Sequence, residues 1–309
     1  MCSSPISNRS EQLNVIFVHG WACGWQDWSA VASRFSDDVK VGVVKLPGSP
    51  DAAPLEGAIS LCDCAAHVIA FADELGFERF AVVGHSMGAR IAIELAAHWQ
   101  DRVSHLLLLD GSNVPEDPDD AVARLSQQLA HLGQHAWAAA AFETMMLDNL
   151  DPEQRRELVS RAADYPADVL LAYYYAMAAW DRDHFDAAVE KVTCPVTVMQ
   201  STSLDENELR HPVTSHPSSR WLDALSARLP RAVITPVPDA GHFLMLEQPQ
   251  LVADWVEKTS QVYLSTHPDK LKHLTNTKGR NGHEKRTEKT IARRQYRGWQ
   301  HCNGSPRIC

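Results

Sequence analysis

The sequence predicts an α/β fold: a mostly parallel central sheet with helices on both faces and a helical cap insertion. Three observations lead there. Short, wholly apolar runs alternate with stretches of helical periodicity as far as residue 109. Strands that lack polar alternation are those covered on both faces, as in parallel sheets. The alternation breaks between about 113 and 189, where only helical spacing is found, and strand grammar returns at 195. The chain has 309 residues, 45% of them hydrophobic, enough for one large domain with a sizeable core.

Residues 13–18 read as the first strand and end at His19-Gly20. Residues 28–35 read as a short helix, and 39–45 as a second strand closed by Leu46-Pro47-Gly48. Apolar spacing predicts a helix over 61–75 with Gly76 as its C-cap. Residues 79–83 form a third strand, 89–99 a helix and 103–109 a fourth strand. The insertion holds four helical stretches, at 121–132, 136–147, 152–163 and 167–180. Asp151-Pro152 reads as an N-cap followed by proline at the first helical position. Residues 195–200 resume the sheet, 220–229 form a helix, 232–237 the last strand and 248–258 the closing helix. The expected organisation is therefore a core in two parts, 1–112 and 191–264, a cap at 113–190 and a tail at 265–309.

Charge divides the chain. The formal net charge is −10, yet residues 261–309 carry 11 Lys and Arg against 3 Asp and Glu, so a tail of about +8 follows a body of about −18. An acidic body argues against nucleic acid as the partner of the folded part. The tail lacks apolar periodicity, and its composition predicts a solvated, disordered extension. The seven cysteines show neither a small disulfide framework nor paired CxxC zinc spacing. The first residues show no basic start followed by an apolar stretch, and no run of about 18 apolar residues exists. A cytoplasmic protein with reduced thiols and no membrane span is expected; composition is silent on oligomeric state.

The strongest local signal is Gly84-His85-Ser86-Met87-Gly88, directly after a strand and before a helix. A sharp strand-to-helix turn strains its central residue and lifts that side chain above the sheet. Glycines flank it where a Cβ would strike backbone, and the helix N-terminus brings positive dipole to the nucleophile. With this motif the chain resembles the α/β-hydrolase superfamily over roughly residues 12–260. The resemblance implies Ser86 as nucleophile and His242, in Asp239-Ala240-Gly241-His242-Phe243 after the last strand, as general base. It also implies that the loop His19-Gly20-Trp21 and the residue after the nucleophile form an oxyanion hole from the main-chain N–H groups of Trp21 and Met87. His19 is read as holding that loop. No cofactor or metal is implied.

The acid has two candidates. In the superfamily it usually follows the strand after the cap. Aligning 195–200 with that strand puts Ser201 where a Gly usually stands and Leu204 where the acid stands, with Asp205 one residue late. The other position used is the end of the strand after the nucleophile helix, and Asp110 stands there. Asp110 is the favoured acid and Asp205 the alternative; the order Ser, Asp, His is kept by either. The aromatic and Met residues of the insertion, among them Tyr173, Tyr174, Tyr175, Met145, Met146, Met177 and Trp180, would pack the cap first and line a pocket second. The expected function is hydrolysis of a carboxylic ester or related acyl bond of a small, largely apolar molecule through an acyl-enzyme. A carbon–carbon bond hydrolase, a cofactor-free oxygenase, and a ligand receptor that keeps the triad without turnover are the other readings.

Overall fold

The computed structural model describes residues 13–266 apart from 56, 115, 148–149, 206–208 and 216. In chain order, β1 (Leu13–Val18) leads through a 3-10 turn (Trp25–Trp28) to the single-turn α1 (Ser29–Ala32) and β2 (Val39–Val43). Then come α2 (Leu61–Glu74), β3 (Phe80–His85), α3 (Met87–His98) and β4 (Val103–Leu109). Helices α4 (Pro118–Leu132), α5 (Gln134–Glu143), α6 (Pro152–Ala163), α7 (Ala167–Asp183) and α8 (Phe185–Lys191) follow. The remainder is β5 (Val196–Gln200), the hairpin β6 (Thr202–Leu204) and β7 (Arg210–Pro212), α9 (Arg220–Arg228), β8 (Val233–Pro236), α10 (Leu244–Glu247) and α11 (Pro249–Thr266). Residues 13–262 belong to one compact unit. The tail expected at 265–309 lies outside the described residues from 267 onward.

The sheet has the order β2-β1-β3-β4-β5-β8, and each neighbouring pair is parallel. All six residues of β3 are buried. Side chains alternate between the faces of a strand, so the sheet is covered on both sides there. That is the physical content of the uninterrupted apolar runs. A parallel sheet also gathers the loops after its strands at one edge, the carboxyl edge, where ligands bind in open α/β sheets.

Local chemistry sets the helix ends. Ser60 and Asp63 form a capping box at α2, satisfying backbone N–H groups that have no intrahelical partner. Gly76 (φ +70°) stands just past the C-cap residue Leu75, where its own N–H donates to Asp73 O and Phe77 N–H to Ala72 O. This is a Schellman ending; the C-cap falls on Leu75, one position before the Gly76 expected from sequence, and Gly76 takes the C′ place. Asp117-Pro118 and Asp151-Pro152 start α4 and α6 with side-chain caps.

Three elements escape a reading by pattern. α8 packs against α3 and α9, but its seven residues are too few to declare a period. The β6–β7 hairpin has three-residue strands in a polar stretch. α10 is one turn. The helix expected at 136–147 ends at Glu143, and the one expected at 28–35 is a 3-10 turn plus a single α turn.

Helices α6 and α7 are tied to the core by buried polar contacts. Arg90 of α3 donates through Nε and Nη2 to Asp181 of α7 at 2.9 and 2.8 Å, and Val114 N–H reaches the same carboxylate at 2.6 Å. Trp180 Nε1 donates to Glu94 at 2.8 Å. Trp21 Nε1 donates to Leu170 O, Tyr165 Oη to Cys23 O and Tyr173 Oη to Pro47 O. Arg161 pairs with the buried Asp27 beside the loop after β1.

Candidate active site

Ser86 links β3 to α3 with φ 53° and ψ −111°, a conformation that costs a non-glycine residue on the order of 1–3 kcal/mol. The flanking glycines allow it. A Cβ on Gly84 would lie 2.2 Å from Gly88 O, and one on Gly88 would lie 2.3 Å from Val18 O. The second contact also shows how closely the elbow seats on the end of β1. It brings the loop carrying Trp21 against the start of α3, where Met87 stands. His19 steadies that loop. Its Nδ1 donates to Gly20 O at 2.9 Å and its Nε2 accepts from Leu46 N–H. Burial pushes its imidazole down to about 4, so it is neutral at neutral pH.

Asp110 directly follows β4, the neighbour of the elbow strand, with φ 45°. Its N–H donates to Met199 O at 2.8 Å, which turns the fully buried carboxylate toward the end of β5. Oδ1 accepts from Ser201 N–H at 2.8 Å, Thr202 N–H at 2.7 Å and Gln200 Nε2 at 3.1 Å. Oδ2 accepts from Thr202 Oγ1 at 2.5 Å, His242 Nδ1 at 2.6 Å and Arg210 Nη1 at 3.3 Å. Burial alone would raise this carboxyl. The hydrogen bond and charge of His242, the Arg210 cation and the Thr202 hydroxyl outweigh it and hold it at about 2.

His242 stands in the loop after β8, fixed on several sides. Its N–H donates to Met145 O at 2.7 Å, and its carbonyl accepts from His85 Nε2 at 2.9 Å. Glu247 accepts from Gly241 N–H at 2.6 Å and from Phe243 N–H at 3.3 Å, while Ser201 Oγ donates to Gly241 O at 2.7 Å. With Nδ1 donating to Asp110, Nε2 is the basic nitrogen. Burial, then the Arg210 cation, push this imidazole down to about 4 against the pull of Asp110. It is a neutral base at neutral pH. His85 is neutral too, kept far below the ordinary imidazole range by burial and then by His242.

Ser86 and His242 line one cavity of about 190 Å³. Its other walls include Trp21, Trp137, Phe142, Met145, Tyr174 and Met177, with Asn113, Arg124 and Arg210 as polar points. Trp21 packs between Trp137 and Tyr174, with ring centroids 5.5 and 5.0 Å away. The apolar residues read from sequence thus divide: Met145, Met177 and Tyr174 reach the cavity, while Trp180 turns to Glu94. Among the described residues no His, Cys, Asp and Glu cluster is arranged to hold a metal, and no helix is long and apolar enough to cross a membrane.

Asp205 lies elsewhere. It accepts from Leu209 N–H at 3.0 Å and faces His211 Nε2 at 2.8 Å across the hairpin, on the protein surface. Sequence reasoning missed Thr202, Arg210 and Glu247. One signal was present: Ser201 at the expected Gly marked an altered loop after β5, and that loop carries donors for Asp110.

Residues 15–255 match the Alpha/beta hydrolase family, and the chain belongs to it. It is 25% identical over 251 residues to 2-succinyl-6-hydroxy-2,4-cyclohexadiene-1-carboxylate synthase of Serratia proteamaculans, covering 77% of this chain and 89% of that one. A 34% match over 95 residues to the dihydrolipoyllysine-residue acetyltransferase component of the acetoin cleaving system of Cupriavidus necator covers 31% of this chain and only 25% of that protein. Among solved structures, a thermophilic esterase from Thermogutta terrifontis superposes with TM-score 0.66 at 22% identity, over 80% of this chain and 90% of the esterase. The enol-lactonase of Burkholderia xenovorans superposes with TM-score 0.67 at 16% identity, over 82% and 94%. At such identities the superpositions establish the fold.

Proposed function

We propose that this hydrolase cleaves a carboxylic ester, or a related acyl bond such as a lactone, of a small and largely apolar molecule through an acyl-enzyme. Ser86 Oγ attacks the carbonyl carbon as His242 Nε2 takes its proton. Asp110 holds the tautomer and stabilises the imidazolium. The main-chain N–H groups of Trp21 and Met87 receive the oxyanion. His242 then protonates the leaving alcohol, and water releases the acid by the same steps in reverse roles. The observation that carries this reading is the 2.6 Å contact between Asp110 Oδ2 and His242 Nδ1, which leaves Nε2 basic in a cavity also lined by Ser86. In this proposal residues 113–190 are the cap, since Leu125, Trp137, Phe142 and Met177 from that segment wall the cavity. Cys23, Cys64 and Cys194 are free thiols, which supports a reducing, cytoplasmic setting.

A panel of p-nitrophenyl esters of graded acyl length tests the chemistry. Turnover is expected for short acyl groups, and Ser86→Ala should lower it by at least about 10³-fold with the fold intact. A second reading keeps the same three residues for non-hydrolytic chemistry, and the relative named a synthase favours it. That reading predicts labelling of Ser86 by a fluorophosphonate without ester turnover. A protein neither labelled nor active would fit a ligand receptor.

A further inference from the structure

Among the described residues, the loop after β5 presents no acid of its own to His242. It is folded as the β6–β7 hairpin, and its polar groups converge on Asp110 instead. Thr202 and Ser201 supply the two N–H donors to Oδ1, and Thr202 Oγ1 caps Oδ2. From the opposite strand Arg210 donates through Nη1 to Asp110 Oδ2 at 3.3 Å and to Thr202 Oγ1 at 3.0 Å, and through Nη2 to Ser112 Oγ at 3.2 Å. Its side chain is 9% exposed. A buried guanidinium is costly unless paired, and here its ionic partner is the carboxylate that also faces His242.

We propose that Arg210 is a positioning residue. It locks the Asp110 carboxylate toward His242 and biases the imidazole toward its neutral, proton-accepting form. The inference rests on the triad reading above, and it assigns the hairpin the job of supporting the acid from a neighbouring strand. The geometry does two things at once. Three groups on Oδ2 leave the carboxylate one orientation, the one that presents it to Nδ1. A fixed cation beside the pair disfavours a second positive charge on the ring, so His242 stays unprotonated as the pH falls. Other charged groups facing the imidazole are Asp110 itself, which opposes this bias, Arg90 of α3, which adds to it, and the neutral His85 on the elbow; Glu247 grips the loop from α10.

The test uses the full-length protein and the rate of Ser86 phosphonylation by a fluorophosphonate probe as a function of pH, a readout that needs no natural substrate. Arg210→Met should slow labelling about 10- to 100-fold at neutral pH and move its acid limb upward by about one pH unit. Arg210→Lys should keep the wild-type acid limb, because the charge remains, while losing part of the rate with the fork. Thr202→Val, which removes one hydroxyl beside the same carboxylate, is the second variant should Arg210→Met fold poorly; slowed labelling is expected. An Arg210→Met profile that superposes on the wild type overturns the inference and leaves the triad reading standing. So does a loss of rate with an unmoved acid limb, or a change confined to KM in ester assays, which would make Arg210 a structural or substrate-binding group. A wild-type protein that the probe never labels overturns the triad reading itself, and this inference with it.

Discussion

Asp110 Oδ2 and His242 Nδ1 lie 2.6 Å apart although 132 residues separate them in the chain. The contact is possible because β4 lies next to β5 and β5 next to β8 in a parallel sheet, so the loops leaving β4 and β8 emerge at the same edge. Asp110 directly follows β4, and His242 lies in the loop that leaves β8 at Pro236. The carboxylate is then held by five further donors, which gives it one orientation and a charge retained far into acid.

From this contact, Asp110→Asn is expected to lower ester turnover by two to four orders of magnitude, since an amide neither selects the imidazole tautomer nor stabilises imidazolium. Asp205→Asn, which alters a surface pair with His211, should stay within about twofold, in line with the small worth of exposed ion pairs. Steady-state kinetics of both variants, each checked by circular dichroism, decide between the two acids. A crippled Asp205→Asn beside a normal Asp110→Asn would reverse the assignment.

The pH dependence has a definite sign. In the proposed mechanism His242 acts as a base in its neutral form, and burial with the Arg210 cation places its midpoint at about 4. The acid limb of kcat/KM should therefore lie near pH 4, well below the ordinary imidazole value of 6.5. Stability follows the same groups. His19 and His242 titrate at about 4 when folded and near 6.5 when unfolded, so the unfolded chain binds protons first as the pH drops. Their contribution is whole above pH 6.5 and is lost between 6.5 and 4. Asp110, depressed from 3.8 to about 2, adds a loss below that. A melting temperature that is flat from pH 8 to 4 contradicts this.

The Arg90–Asp181 pair joins α3 to α7 with side chains only 2% and 3% exposed. Removing one partner strands the other charge, so Asp181→Ala should cost about 3–5 kcal/mol, read from urea unfolding. Replacing both residues with apolar side chains of similar volume should cost much less. Equal losses in the single and double variants would mean that packing, rather than stranded charge, sets the penalty.

Gly88→Ala tests the elbow. The new methyl group would sit 2.3 Å from Val18 O, a backbone atom of the adjacent strand that has no room to retreat. Poor expression or a stability loss of several kcal/mol is expected. A well-folded variant with normal kinetics would show that β1 yields more easily than a parallel sheet should allow.

The fold was largely legible because its signals are local and repeated. Uninterrupted apolar runs named the strands of the sheet, and the break after β4 named the inserted helices. What escaped had no periodic signature: the seven residues of α8, the single turn of α10, and the β6–β7 hairpin hidden in polar sequence. At the site, Ser86 and His242 are marked by neighbours in sequence, glycines and strand ends. Thr202, Arg210 and Glu247 carry no such mark, because their meaning lies in what they touch.

The sequence by itself therefore determined the fold class and the place of the elbow at Ser86, since such a turn must be spelled by flanking glycines. It left the choice between Asp110 and Asp205 open, because both keep the same chain order and both follow a strand. Only the tertiary structure decided which carboxylate stands beside His242. Strand adjacency and the pairing of Thr202–Leu204 with Arg210–Pro212 leave Asp205 on the surface and turn Thr202 and Arg210 onto Asp110. Long-range pairing of this kind is settled by the packing of the whole sheet, and no stretch of local sequence encodes it.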